Sequence, residues 1–296
     1  MAEDRVSTAL RRAVLAVSLL DADLADVELS DAGVSLGAAG STLAVGWGEL
    51  VLAAGGSDTP GDEVQRRVRR WLRLRRAVAE AVAVADSPES GADHLLARVR
   101  PLGLPVGHAL HPGPAWTVRP VLGGALELGL ALRGVDDDAR RDPDACGVLP
   151  VSLLTAAGLD PAAALERAER YLEDMAGLAA ERFVRDTSAV LRPLGDADVP
   201  TLLASARFRR MLLGGEGMRS AAIPTRRRGW LDLGRLDPAF VPAAAALTDP
   251  QEQGFPRPVL VTADEVTLVR PGGDIVAQSL ADPAPVELGT PVERLA

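Results

Sequence analysis

Arginine is the residue type in this chain that is dense enough to do chemistry. Seven arginines fall between positions 66 and 76: Arg66, Arg67, Arg69, Arg70, Arg73, Arg75 and Arg76, grouped around Trp71. A second group, Arg207, Arg209, Arg210, Arg226, Arg227 and Arg228, brackets the run Gly214-Gly-Glu-Gly217, with Arg219 between. A guanidinium presents five donors in a planar fork, so such clusters can grip carboxylates or phosphates in a bidentate manner. The competing use is internal: arginine stems cover apolar helix sides while their heads pair with the chain's 41 acidic residues.

Other chemistries are excluded or thinly supported. All 32 basic residues are arginine and none is lysine. A Walker-type phosphate lysine, a Schiff base and a Ser-Lys dyad are therefore impossible, because arginine stays protonated and is no nucleophile. His94, His108 and His111 are the three imidazoles. The last two sit in a proline-rich stretch without a His-Glu-x-x-His pattern, so they read as ordinary loop histidines and no metal is expected. The acidic run Asp136, Asp137, Asp138, Asp142 and Asp144 lacks calcium-loop spacing and reads as a solvated loop. No Gly-x-Ser-x-Gly elbow occurs, and Ser220 and Thr225 have no base nearby in sequence. Cys146 stands alone beside acidic residues, which disfavours a thiolate. Glu127 alternates with Leu126 and Leu128, so it reads as a wet-face residue more readily than one facing a cavity. Gly214 to Gly217 follows a helix, which suits C-capping better than phosphate binding.

The elements that carry these residues follow from pattern. An amphipathic helix opens the chain, with Leu10, Val14 and Val17 on one face. Val27 to Leu36 reads as two strands around Asp31-Ala-Gly33. Thr42 to Trp47 and Glu49 to Leu52 read as further strand. Asp62 to Ala85 reads as a long helix with Val64, Val68, Trp71, Leu72, Val78 and Val82 near one stripe. Ser87 to Ala92 reads as loop, Leu95 to Arg100 as strand and Pro101 to Pro114 as irregular. Trp116 to Leu122 and Ala125 to Leu132 form a hairpin. A short helix follows at Val151 to Ala157. A longer one runs to about Ala176, capped by Asp160 with Pro161 in its first turn. Beyond it come a helix from Pro200 to Leu213, a strand Ser220 to Pro224, a short helix Asp237 to Ala246, and a hairpin of Pro258 to Thr262 with Val266 to Val269.

Mixed strands and helices with hairpins predict an α+β fold: antiparallel sheets with flanking helices, in two loosely similar sheet-then-helix halves. The expected organisation is an N-terminal unit over 1–90, a second α+β unit over 91–272 and a mobile tail over 273–296. Aromatics make up 3% of the residues, so Leu, Val and Ala must fill the core. The single cysteine fits a reducing cytoplasm. The apolar run after Arg11-Arg12 stops at Asp21, too short to insert in a membrane.

Three blocks resemble a bacterial family described as domain of unknown function 1444. They are Asp31-Ala-Gly-Val-Ser-Leu36 before the long helix, Val148 to Pro161 running into the capped helix, and Ala204 to Trp230 with its strand Ala221-Ala-Ile-Pro224. The likeness spans roughly residues 20–235. It implies an α+β fold and a cytosolic setting, and brings no activity, cofactor or site. Where that family often carries an acidic residue after the proline strand, this chain has Arg226, Arg227 and Arg228.

The reading is a cytoplasmic binding protein, not an enzyme, with no cofactor. Arg66, Arg69, Arg70, Arg73, Arg76, Arg226, Arg227 and Arg228 form contact surfaces for an anionic partner, itself a protein. Two alternatives stand beside it. One is an enzyme on an anionic small molecule, with Arg226 to Arg228 gathered near Glu216 or His108. The other is nucleic-acid binding by the basic helix, disfavoured by a net charge of −9.

Overall fold

The computed structural model describes residues 2–55, 61–83, 88–111, 116, 118–135, 146–186, 189–235, 239–240 and 252–268. The acidic loop, the tail and most of the expected helix at 237–246 lie outside these residues.

Three antiparallel sheets and eight helices, among the described residues, make the α+β fold that the pattern implies. Helix α1 (Ala2–Leu20) buries Leu10, Val14 and Val17 against a three-stranded sheet of β1 (Glu28–Leu29), β2 (Gly33–Ala38) and β3 (Ser41–Gly46). The stretch Glu49 to Leu52, expected as strand, is instead helical within α2 (Trp47–Ala54). Its burial has helical period: Leu50 and Ala54 are covered while Leu52 is 82% exposed. Gly55, at φ 87°, closes this helix by donating to the Leu52 carbonyl, a left-handed cap that a β-carbon would oppose.

Helix α3 (Gly61–Ala83) bridges two cores. Val64, Val68 and Leu72 join the first, while Leu74, Val78 and Ala81 pack with Leu95, Leu130, Leu153 and Ala164 in the second. The boundary expected at residue 90 falls inside α4 (Pro88–Arg98), which replaces the loop and the first part of the strand expected there. Leu95-Leu-Ala-Arg98 is a short apolar run of the kind that periodicity alone cannot assign. The proline-rich stretch is also more regular than expected. β4 (Val99–Pro105) runs through both of its prolines, which an edge strand tolerates.

β4 pairs with β6 (Leu126–Arg133), which also pairs β5 (Val118–Val121) and β7 (Cys146–Val148). Helices α5 (Val151–Ala156) and α6 (Pro161–Arg185) follow. Asp160 caps α6 as expected, its Oδ1 accepting from the Ala162 amide at 3.1 Å. α6 continues well past Ala176, because Ala176, Gly177, Ala179 and Ala180 present a small, buried face to the next core.

That core lies on a five-stranded sheet of order β12-β11-β9-β10-β8, comprising β8 (Val190–Leu191), β9 (Arg219–Thr225), β10 (Arg228–Leu231), β11 (Val259–Val261) and β12 (Val266–Leu268). The helix expected over Pro200 to Leu213 is broken into α7 (Val199–Ala204) and α8 (Ala206–Leu213). Ser205 is extended between them, and its Oγ accepts from the Phe208 amide at 3.3 Å to cap α8. Among the described residues no helix is long and apolar enough to cross a membrane.

Candidate functional site

The arginines of α3 meet carboxylates of the helix itself and of neighbouring elements. Arg66 and Arg67 both meet Glu63, at 2.8 Å each. Arg73 meets Asp21 at 2.7 Å and Asp23 at 3.6 Å, and Arg76 pairs with Asp26. Burial alone raises the Asp21 pKa, but hydrogen bonds from Arg73 and the Asp23 amide outweigh it and leave the carboxyl below its usual range. Arg69 adds a positive field on the same carboxyl. Arg70 is buried, with 9% of its surface exposed.

The second predicted group is engaged in the same way. Arg226 bonds Asp198 at 2.6 Å, Arg227 meets Glu252 at 3.3 Å, and Arg228 lies 5.4 Å above the Phe240 ring. Arg209, almost fully buried, donates to the carbonyls of Leu203, Ala204, Ala263 and Asp264, tying α7 to the last hairpin. One arginine from each group, Arg70 from α3 and Arg226 from the β9–β10 turn, bears electrostatically on His108.

His108 is held as a neutral ring. Its Nδ1 accepts from the Leu110 amide at 3.1 Å, so its Nε2 donates to the Gln253 carbonyl at 2.8 Å. Burial first, then the charge of Arg226, push its pKa down to about 4, against the opposing pull of the Gln253 bond and Asp198. With both ring nitrogens so used, His108 is a structural pin between the 108–111 loop and the strand-like segment 252–255, and no proton acceptor for substrate. The gathering considered for Arg226 to Arg228 with Glu216 or His108 takes a different form, since Glu216 pairs with Arg219 at 3.1 Å. Ser220 accepts from the Leu233 amide, and Thr225 donates to the Arg228 carbonyl, so both hydroxyls serve turns. Gly214, in the left-handed region, ends α8 as expected.

A polar cleft of about 550 Å³ takes Arg73 and Arg76 together with Asp23, Asp26 and Glu80, so the chain's own carboxylates already answer its arginines. A second cleft, of about 480 Å³, opens between α2 and α3 on one side and the 108–111 loop with the β7–α5 junction on the other. Leu52, Ala53, Trp71, Leu74, Leu110, Val148 and Pro150 give it a largely apolar lining, and Glu49, Arg67, Arg70, His111 and Ser152 supply polar groups. Trp71 is fixed by its Nε1, which donates to Glu49 Oε1 at 2.7 Å, while Arg75 holds the same oxygen at 2.9 Å. Across the cleft His111 Nε2 lies 3.0 Å from Glu127 Oε2, and its ring stands edge-on to Trp116 with centroids 5.3 Å apart. The indole of Trp116 is pinned in turn by a bond to the Leu130 carbonyl.

Of the predicted contact residues, this second cleft takes Arg70 alone; Arg67, from the same cluster, joins it. The pairing of His111 with Glu127 escapes the sequence, although alternation along β6 does set Glu127 apart from its buried neighbours Leu126 and Leu128. The three histidines do not meet: His94 is exposed on α4, His108 is buried and His111 lines the cleft. No group of three potential metal ligands occurs among the described residues. Comparison with known proteins does not extend this picture, for no family model, curated protein or solved structure matches the chain.

Proposed function

We propose that this chain is a cytoplasmic, non-catalytic binding protein whose site is the cleft between α3 and the 108–111 loop, and whose ligand carries an anionic group on an apolar body. One observation carries the reading: a buried arginine, Arg70, lines a cleft that is otherwise mostly apolar. Ligand sites commonly have this composition, a hydrophobic enclosure with a few convergent polar groups that fix orientation. The anionic partner inferred from the arginine clusters is thereby narrowed to one that enters this cleft. The outward-facing version has less support, because Arg66, Arg73, Arg76, Arg226 and Arg227 each meet a carboxylate of the chain. Nucleic-acid binding by α3 loses support for the same reason. The likeness to the domain of unknown function 1444 family remains part of the proposal and adds no activity.

The test is calorimetric titration with three anionic probes, octanoate, naphthoate and acetyl-leucyl-aspartate, each against its neutral amide. The expected result is a preference of about tenfold or more for the anion in at least one pair. Leu52→Glu, a change at an exposed rim position, should erase that preference without affecting folding. No anion preference in any of the three pairs would remove the proposal.

A further inference from the structure

We infer that the ligand of the cleft is a small planar aromatic monocarboxylate. This rests on the cleft being the binding site and names the chemical class of what it holds. Two aromatic side chains face the cleft, and each is locked by a hydrogen bond made away from its ring faces: Trp71 through Glu49 and His111 through Glu127. The locks are themselves supported, since Arg75 braces Glu49 and Trp116 packs against His111. Rings whose rotamers are already fixed lose little entropy on contact with a ligand. They select for flat partners, because stacked and edge-on contacts between rings add to the gain from area alone. A flexible aliphatic chain gains the same burial but must surrender its own rotational freedom.

Charge selects the other end of the ligand. Arg67 and Arg70 line the cleft together with Glu49, a formal excess of one positive charge. A monocarboxylate matches that excess and fits the guanidinium fork, whereas a phosphate monoester would bring a second negative charge into a mostly apolar space. Arg70 is the more deeply buried of the two, so a carboxylate beside it is better shielded from water, and Arg70 is the principal anchor. Its five donors allow it to serve the protein and a ligand together. The volume of about 480 Å³ lies in the ordinary range for small-molecule sites and accommodates a two-ring acid.

The experiment compares naphthoate, octanoate, naphthalene methanol and acetyl-leucyl-aspartate by calorimetry. Quenching of Trp71 emission is followed in parallel and assigned by Trp71→Phe. Naphthoate is expected to bind about tenfold or more tightly than octanoate, the peptide and the neutral alcohol. Arg70→Gln should cost naphthoate about tenfold or more and leave naphthalene methanol within about twofold. Because Arg70 is buried, Ser152→Trp provides a second variant at an exposed rim position, which should block naphthoate while leaving the thermal midpoint unchanged. If octanoate or the peptide binds as well as naphthoate, the aromatic assignment is overturned while the binding-protein reading stands. If every anion binds no better than its neutral counterpart, both fall.

Discussion

Acidification should destabilise this protein through His108 before Asp21 and Asp26 titrate. The imidazole sits with its Nδ1 against the Leu110 amide and its Nε2 on the Gln253 carbonyl, near Arg70 and Arg226. A proton added at Nδ1 would face an N–H donor and two guanidinium charges in a buried site. Burial therefore lowers the folded-state pKa to about 4, against 6.5 for the ordinary side chain. The sign follows from linkage: as pH falls below 6.5, the unfolded chain takes up a proton that the folded chain refuses. The stabilisation is complete above that value and disappears as pH falls towards 4. At 1.36 kcal/mol per pKa unit, the loss between pH 8 and pH 5 is about 2 kcal/mol, approaching about 3 kcal/mol at lower pH. Asp21 and Asp26, whose pKa values lie below the usual 3.8, lose their contributions only under more acid conditions and stay outside this window. The assay is urea denaturation at intervals from pH 8 to pH 5, on the native chain and on His108→Gln. Glutamine can still donate to the Gln253 carbonyl but does not titrate. The native chain should lose about 2 kcal/mol more than the variant across the interval. Parallel loss in the two proteins would refute the buried, neutral histidine and the pinning role derived from it.

Three further perturbations bear on the framework. Arg209→Met should destabilise the fold by about 3 kcal/mol in denaturant titration, because four backbone carbonyls lose a buried charged donor; Arg209→Lys should recover only part, since an ammonium cannot span the same fork. Gly254→Ala would place a β-carbon 2.1 Å from the Ile223 carbonyl oxygen. The segment 252–255 must then separate from β9, which should appear as faster hydrogen exchange at the Phe255 amide, now bonded to Ile223 at 2.7 Å. Asp160→Ala should cost about 1 kcal/mol by removing the cap of α6, and Asp160→Asn should restore most of it; equal stability of all three proteins would show that the cap contributes nothing.

The sequence alone determined the elements whose signals are local. The stripe of α3, the Asp160-Pro161 start of α6, the β5–β6 and β11–β12 hairpins and the α+β class all follow from periodicity, capping and turn chemistry within a few residues. Tertiary structure decided the rest. Trp47 to Ala54 turns helical because its apolar residues must meet α1 and α3, and β4 absorbs two prolines because its outer edge is unpaired. The fate of the arginines was equally beyond local reading. Their number was plain, but Arg76 finds Asp26, Arg100 finds Asp196 and Arg73 finds Asp21 across stretches of chain that carry no trace of the pairing. The cleft shows the same division: Trp71 and Arg70 are adjacent in sequence, whereas Glu49, His111 and Ser152 reach them only through folding. Helices and turns are fixed by interactions between near neighbours. Ion pairs and concave sites are fixed by distances in space, and these exist only once the chain has closed on itself.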